Sequence, residues 1–292
     1  MGIILIHILN ALLYASVLFL IAGGLSLIYG VMRIVNLAHG NLYAIGAYVT
    51  AWVVGQWLVG APTVVLYLLI PAGALAAAAA GAIIEPTLLR RFYKRAEEYQ
   101  LLVTFGLLMI LEDVVRFIWG PYPLSASVLW SELGSIAIGD ALYPTYNLLV
   151  IAVGGLAAAF LWMFVYRTRF GVVLRAASQD MRMAAALGIN VNRVYVQAFT
   201  LGCFMAGLAG AIIVPSQSAV LGMSVDALIL AFIVVVIGGL GSLEGALVGA
   251  LVVGVVREAG IALFPEIELA ILYLIAAIVL LVRTAGLFGR TA

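Results

Sequence analysis

Charge is what this sequence has least of. Only 9% of its 292 residues are Asp, Glu, Lys or Arg, where a soluble domain carries about 25%. That shortage excludes an ordinary water-facing surface. Cysteine is limited to Cys203, so no intrachain disulfide and no cysteine metal cluster can form. Within an apolar run, Cys203 reads as a small packing residue. Lysine is limited to Lys94, which follows Phe92 and Tyr93 without a glycine loop. A Walker A motif needs a lysine closing such a loop, so this chain cannot hydrolyse ATP by the P-loop route. No His, Cys and Asp set has metal-ligand spacing, and no Gly-x-Ser-x-Gly elbow occurs. No enzyme and no cofactor of its own is expected, and nucleic acid is not an expected partner.

What is present is apolar sequence. The chain is 66% hydrophobic with a mean hydropathy of +1.25, and runs near 20 residues recur along it, enough for a helix to cross a bilayer core. The runs are apolar all round, which excludes the alternation of a transmembrane β-barrel. The expected fold is all-α: one polytopic transmembrane helix bundle, residues 1–292, with about 8–9 spans and a short cytoplasmic coupling helix. Spans are predicted near 8–30, 40–59, 63–84, 100–120, 144–166, 195–216, 224–241, 243–262 and 267–284. The amino terminus lacks a basic region and its run is too long for a cleaved signal, so it reads as the first span. Segment 33–46 is the weakest element, readable as a broken or re-entrant helix.

Charge distribution sets the sides. Arg90, Arg91, Lys94 and Arg95 cluster in 85–98, and five arginines lie in 167–193; both segments should be cytoplasmic by the positive-inside rule. The connection 121–143 has Glu132 and Asp140 but no Lys or Arg, which places it outside. Walking along the spans puts the carboxyl-terminal Arg283 and Arg290 inside, Arg33 inside and the amino terminus outside, so the signs agree throughout.

Small residues stripe several spans: Gly73, Ala77 and Gly81; Gly241, Gly245 and Gly249; Ala206 with Gly210 and Gly207 with Ala211. Such stripes let helices approach closely in lipid. The glycine-rich run 238–245 faintly echoes 23–30, as an internal repeat would. Polar residues inside spans are pathway candidates. Asn36, His39 and Asn41 surround Gly40, which permits unwound backbone, although a helix-capping turn would use the same residues. Glu112 and Arg116 are spaced to pair on one helix face, beside Asp113, and Arg257 with Glu258 reads as a similar pair near a span end.

The basic segment 167–193 faces something other than lipid. From Leu174, the residues Leu174, Ala177, Met181, Ala184 and Leu187 follow the spacing of one helical face, and Gly188 is placed to stop the helix. An interfacial helix on anionic lipid and a helix docking into a partner ATPase are both open readings. The Ala-rich centre and the tight link between two spans favour docking.

The chain resembles the branched-chain amino acid ABC importer permeases, of the LivH type. The likeness is carried by Gly24-Leu-Ser-Leu-Ile-Tyr-Gly-Val-Met-Arg-Ile-Val-Asn-Leu-Ala-His-Gly-Asn41 with Ile45-Gly-Ala-Tyr48, by Leu174–Ile189, and by the glycine-rich 232–249. One departure is Asn41, where many relatives carry an acid, so a charge-based role is not carried over to it. The resemblance implies a transport subunit of the bacterial inner membrane with four kinds of partner: a second related permease, two cytoplasmic ATPases that hold ATP-Mg, a periplasmic substrate-binding protein, and the lipid itself. It also implies that the loop at about 167–194 is the coupling loop, with Arg175, Asp180, Ala184, Ala185 and Gly188 as its ATPase-coupling residues, Ala184, Ala185 and Gly188 meeting the motor. The solute implied is a branched-chain or other small amino acid. The alternative function is a stand-alone channel or ion-coupled carrier, which predicts coupling charges at mid-span rather than near span ends.

Overall fold

A helix lies at each of the nine expected span positions. The computed structural model describes residues 2–57, 62–93, 95–139, 141–283 and 286–289. Lys94, Asp140 and Arg290, and the ends of the expected spans at 58–59 and 284, lie outside the described residues. α1 is Gly2–Met32, α2 His39–Trp57, α3 Thr63–Leu68 and α4 Ile70–Thr87. A 3-10 turn, Leu89–Phe92, leads to α5, Glu97–Trp119, and α6, Ser127–Glu132. A hairpin of β1, Ser135–Ile138, and β2, Ala141–Pro144, precedes α7, Thr145–Arg167. Then come α8, Arg169–Gln179; α9, Met181–Ala186; α10, Val191–Ile213; α11, Met223–Gly238; α12, Leu243–Leu263; and α13, Glu268–Val282. Among the described residues five spans, with α3 and α4 taken as one, are long and apolar enough to cross a membrane by length and composition. The chain is an all-α, multi-pass membrane bundle. The hairpin is an addition to the expected architecture, built on the short alternating segments Ser-Ile-Ala-Ile and Ala-Leu-Tyr-Pro.

Local chemistry explains the element ends. The break between α3 and α4 falls at Leu69, two residues before Pro71, whose ring nitrogen cannot continue the hydrogen-bond ladder. Thr168, Asp180, Asn190 and Ser242 each cap the following helix, accepting a backbone N–H with the side chain, which satisfies donors a helix start otherwise leaves open.

The interior is built on α1, α2, α4 and α10, where small residues meet. A methyl group added to Gly24 would stand 2.5 Å from the Gly202 carbonyl oxygen, so the backbones of α1 and α10 touch near their middles. Cys203 is fully buried beside Gly81, a packing residue as expected. The glycine-rich run after α11 packs on α1 at Gly30, and Ser26 donates to the Ser242 carbonyl at 3.0 Å, so the two echoing segments are neighbours.

Contacts among the loops sort the ends of the helices into two groups. Gly2 packs on the Ile138 carbonyl of the hairpin, and Leu124 exchanges two backbone hydrogen bonds with Ala219, which follows α10. The amino terminus, the 121–143 connection and the exit of α10 therefore share one end, which the charge pattern assigns to the outside (the outer end). At the other, Leu287 and Phe288 donate to Ile237 and Gly238, joining the carboxyl-terminal region to the exit of α11.

Candidate functional site

Two helices begin inside the bundle rather than at its surface. α1 ends at Met32, and Arg33 takes a left-handed backbone (φ 56°). Residues 33–38 then run non-helically back into the bundle, with Ile34, Asn36 and Ala38 buried. α2 starts only at His39, whose Nε2 donates to the Ile21 carbonyl at 3.0 Å, one turn from the Gly24 crossing. From there α2 runs outward alongside α5, through Asn41 with Glu112 and Tyr48 with Trp119. Unwound backbone at this depth is tolerated only inside protein or along a cavity, and here it is enclosed. The segment expected to be broken is broken, as an extended stretch followed by a helix.

The second such start is α11. After α10, residues 214–222 turn back inward without helix, and α11 begins against the start of α2. A methyl group on Gly40 would stand 1.9 Å from the Ser224 carbonyl oxygen. Glu112 of α5 joins both starts: it accepts from Asn41 Nδ2 at 3.2 Å, from the Gly222 backbone N–H at 2.8 Å and from Ser224 Oγ at 2.6 Å. Helix N-termini carry partial positive charge and open N–H groups; the carboxylate meets the Gly222 N–H ahead of α11 and the Asn41 side chain in the first turn of α2.

This arrangement corrects the expected pairing. Glu112 does not pair with Arg116: no carboxylate lies within 4.0 Å of the Arg116 guanidinium among the described residues, and Arg116 stays exposed on the outward half of α5. The positions four apart are neighbours along α5, but Glu112 turns toward the helix starts, where three donors converge. Of the remaining candidates, Asn36 caps the turn by accepting from the Ala38 N–H at 3.1 Å. Asn36 Nδ2, His39 Nδ1 and Asn41 Oδ1 are buried without a hydrogen-bond partner. Arg257 and Glu258 also fail to pair: Glu258 accepts from His7 Nδ1 at 2.8 Å and Asn10 Nδ2 at 3.0 Å, while Arg257 lies over the Tyr14 ring, 4.5 Å from its centroid. Gly222, Ser224, His7 and Asn10 went unread in the sequence because their partners are more than one hundred residues away.

The coupling segment is two helices, not one. Asp180 has an extended backbone and accepts from the N–H groups of Arg182 and Met183, both at 2.9 Å. Its preference for capping ends α8 and starts α9. Gly188 stops α9 with a left-handed backbone (φ 83°), and Ile189 and Gly188 donate to the Ala184 and Ala185 carbonyls, the closing pattern of a Schellman cap. The predicted face splits as a result. Leu174, Ala177 and Ala184 are buried against the chain itself, whereas Met181 and Leu187 point away. Ala184, 2% exposed, therefore offers no surface to a partner, contrary to the sequence reading. Arg175 is likewise occupied within the chain, donating to the Val165 carbonyl and stacking on Tyr166. What α9 presents outward is Met183 at 59% and Leu187 at 75% exposure, with Ala185 and Gly188 beside them.

The base of this end is held by a carboxylate the sequence reading passed over. Glu85, fully buried, binds Arg90 at 2.9 Å and accepts a short hydrogen bond from the Tyr93 hydroxyl. Tyr93 meets the Tyr195 ring of α10 edge-on at 5.2 Å. Burial first, then the Glu85 hydrogen bond, push the Tyr93 hydroxyl far above the ordinary tyrosine range, so it remains a donor. The same carboxylate raises Arg90 through its hydrogen bond.

Known proteins of similar sequence identify the family. The sequence model of the family described as branched-chain amino acid transport system, permease component, matches residues 7–282. The chain is 30% identical to the high-affinity branched-chain amino acid transport system permease protein LivH of Salmonella typhimurium, over 96% of this chain and 94% of the relative. It is 28% identical to the permease protein BraD of Pseudomonas aeruginosa over the same shares. It is 26% identical to the permease protein LivM of Escherichia coli K12, over 83% of this chain and 61% of that one. A stand-alone channel or carrier is thereby set aside. With a family match across nearly its whole length, the chain belongs to the permease components of branched-chain amino acid transport systems: it is a membrane-spanning permease subunit of an ABC importer, not an enzyme, and the ATPase is a separate subunit.

Proposed function

We propose that this chain forms half of the membrane pathway of a bacterial inner-membrane importer for branched-chain amino acids. A second, related permease completes the pathway, two cytoplasmic ATPases with bound ATP-Mg drive it, and a periplasmic binding protein delivers the solute. The observation that carries this reading is the exposed apolar tip of α9, Met183 and Leu187, at the end of the molecule that carries the arginines. A lipid-lying helix would bury an apolar stripe along its length; here α8 turns Leu174 and Ala177 inward, leaving Val172 exposed, and the short, doubly capped α9 exposes Met183 and Leu187 at its tip. Such a tip fits a groove on a partner protein. The relatives support the solute, since LivH and BraD are named for branched-chain amino acids, and LivM supports a second permease of related sequence.

Within the membrane, Asn36, His39, Asn41 and Glu112 are read as the element that rearranges during transport, because Glu112 ties together two helix starts that would separate if α2 and α11 moved apart. Arg116 is read as facing the second permease or the pathway. In the assembled transporter, a photo-crosslinking residue in place of Leu187 is expected to capture the ATPase, and one in place of Ser218, at the outer end, is expected not to. An ATPase crosslink from Ser218 and none from Leu187 would reverse the orientation and end this reading.

A further inference from the structure

The outer end holds a partly open cavity of about 510 Å³ lined by α1, α7, α10, α11 and α12 and by the stretch 216–220, within the range of small-molecule sites. Two opposite charges border it without meeting. Arg257 lines it from α12 with its Nε buried and without a hydrogen-bond partner. The adjacent carboxylate, Glu258, is already held by His7 and Asn10. Asp226 lines it from the first turn of α11, and no basic group lies within 4.0 Å of it among the described residues. Asn147 adds a buried, unpartnered Oδ1 to the same lining, and Leu18, Ile21 and Leu230 supply an apolar wall.

We propose that this cavity binds the zwitterionic head of an α-amino acid, with Arg257 taking the carboxylate, Asp226 and Asn147 the ammonium, and the apolar wall the aliphatic side chain. Arg257, stacked on Tyr14, and the exposed Asp226 have no counter-ion within 4.0 Å among the described residues, and a solute carrying both charges meets both at once. A neutral amide or urea would leave both charges unmet, and a simple cation or anion would leave one. Asp226 is also two residues from Ser224, which Glu112 holds, so a solute on Asp226 touches the helix whose start is tied at the bundle centre. The proposal rests on the amino-acid reading of the substrate.

The test measures uptake of radiolabelled L-leucine and of radiolabelled urea by the reconstituted transporter with its ATPases and binding protein. Arg257→Gln and Asp226→Asn are each expected to lower leucine uptake at least tenfold, with ATP hydrolysis stimulated by the binding protein kept within twofold of the unaltered complex. Unchanged leucine uptake in both variants would overturn the site while leaving the substrate reading intact. Uptake of urea and not leucine by the unaltered complex would overturn both. A second measurement avoids the charged positions: Ser218→Cys should be modified by a membrane-impermeant thiol reagent, because native Cys203 is fully buried, and saturating L-leucine should slow that modification whereas leucinamide and 4-methylvalerate should not. Equal protection by all three compounds, or by none, would contradict recognition of the zwitterion.

Discussion

The two ends of this molecule are built from opposite materials. The outer end is concave and polar inside, with Arg257, Asp226, Asn147 and Asn10 around one cavity. The inner end projects, and what it projects is apolar: Met183 and Leu187 on α9, over a base in which Glu85, Arg90 and Tyr93 satisfy one another. A polar hollow suits a small solute, since it offers charges that need partners. An apolar knob suits a protein groove, since its burial is favourable and demands no particular charge. Between them, Glu112 holds the starts of α2 and α11 together.

The contrast can be broken first at the junction. Gly40→Leu forces side-chain atoms into the Ser224 carbonyl; overpacking of this kind costs about 1–3 kcal/mol or more, and the variant should melt earlier in detergent and lose uptake. Next is Glu112→Ala, which strips the acceptor from Asn41, Gly222 and Ser224. Leaving such donors unmet costs about 1–3 kcal/mol each when they are buried, so uptake should fall at least tenfold. Arg116→Gln, one turn away and outside this network, should change uptake less than twofold; equal losses in the two variants would restore the Glu112–Arg116 pair that the spacing suggested. Asp180→Ala removes the cap of α9 at a cost of about 1 kcal/mol, read as faster amide exchange at Arg182 and Met183 with the rest of the bundle unchanged. Smallest is Gly155→Ala on the exposed face of α7, where a methyl group meets nothing within 4 Å; the lower backbone entropy of alanine in a helix contributes about 0.5–1 kcal/mol, so its melting temperature should rise slightly and uptake should be unchanged.

How much of this was legible depends on the distance over which each feature is decided. The helices were, because apolar length is a local property: the expected 144–166 is Thr145–Arg167, and 243–262 is Leu243–Leu263. The stop at Gly188 was, because one glycine and its neighbours set it. The split between α8 and α9 was not, because a helical face can be traced through Asp180 even though its carboxylate prefers to cap. The predicted face is parted there: Ala184 stays buried with Leu174 and Ala177, while Met181 and Leu187 are exposed. The Glu112 junction could not be read by spacing at all, since it unites residues 41, 112, 222 and 224, and periodicity reports only on neighbours within one helix. Asp226 went unread in the sequence, since its meaning depends on Arg257 across the cavity.

The measurement that bears most directly on the division between the ends is made on the paired substitution Met183→Glu with Leu187→Glu. Both side chains are exposed, so the altered permease should still insert, fold and elute as the unaltered chain does. It should no longer co-purify with the ATPases, and ATP-driven leucine uptake should be abolished. Intact ATPase co-purification together with undiminished uptake would contradict the assignment of the α9 tip as the place where the motor takes hold.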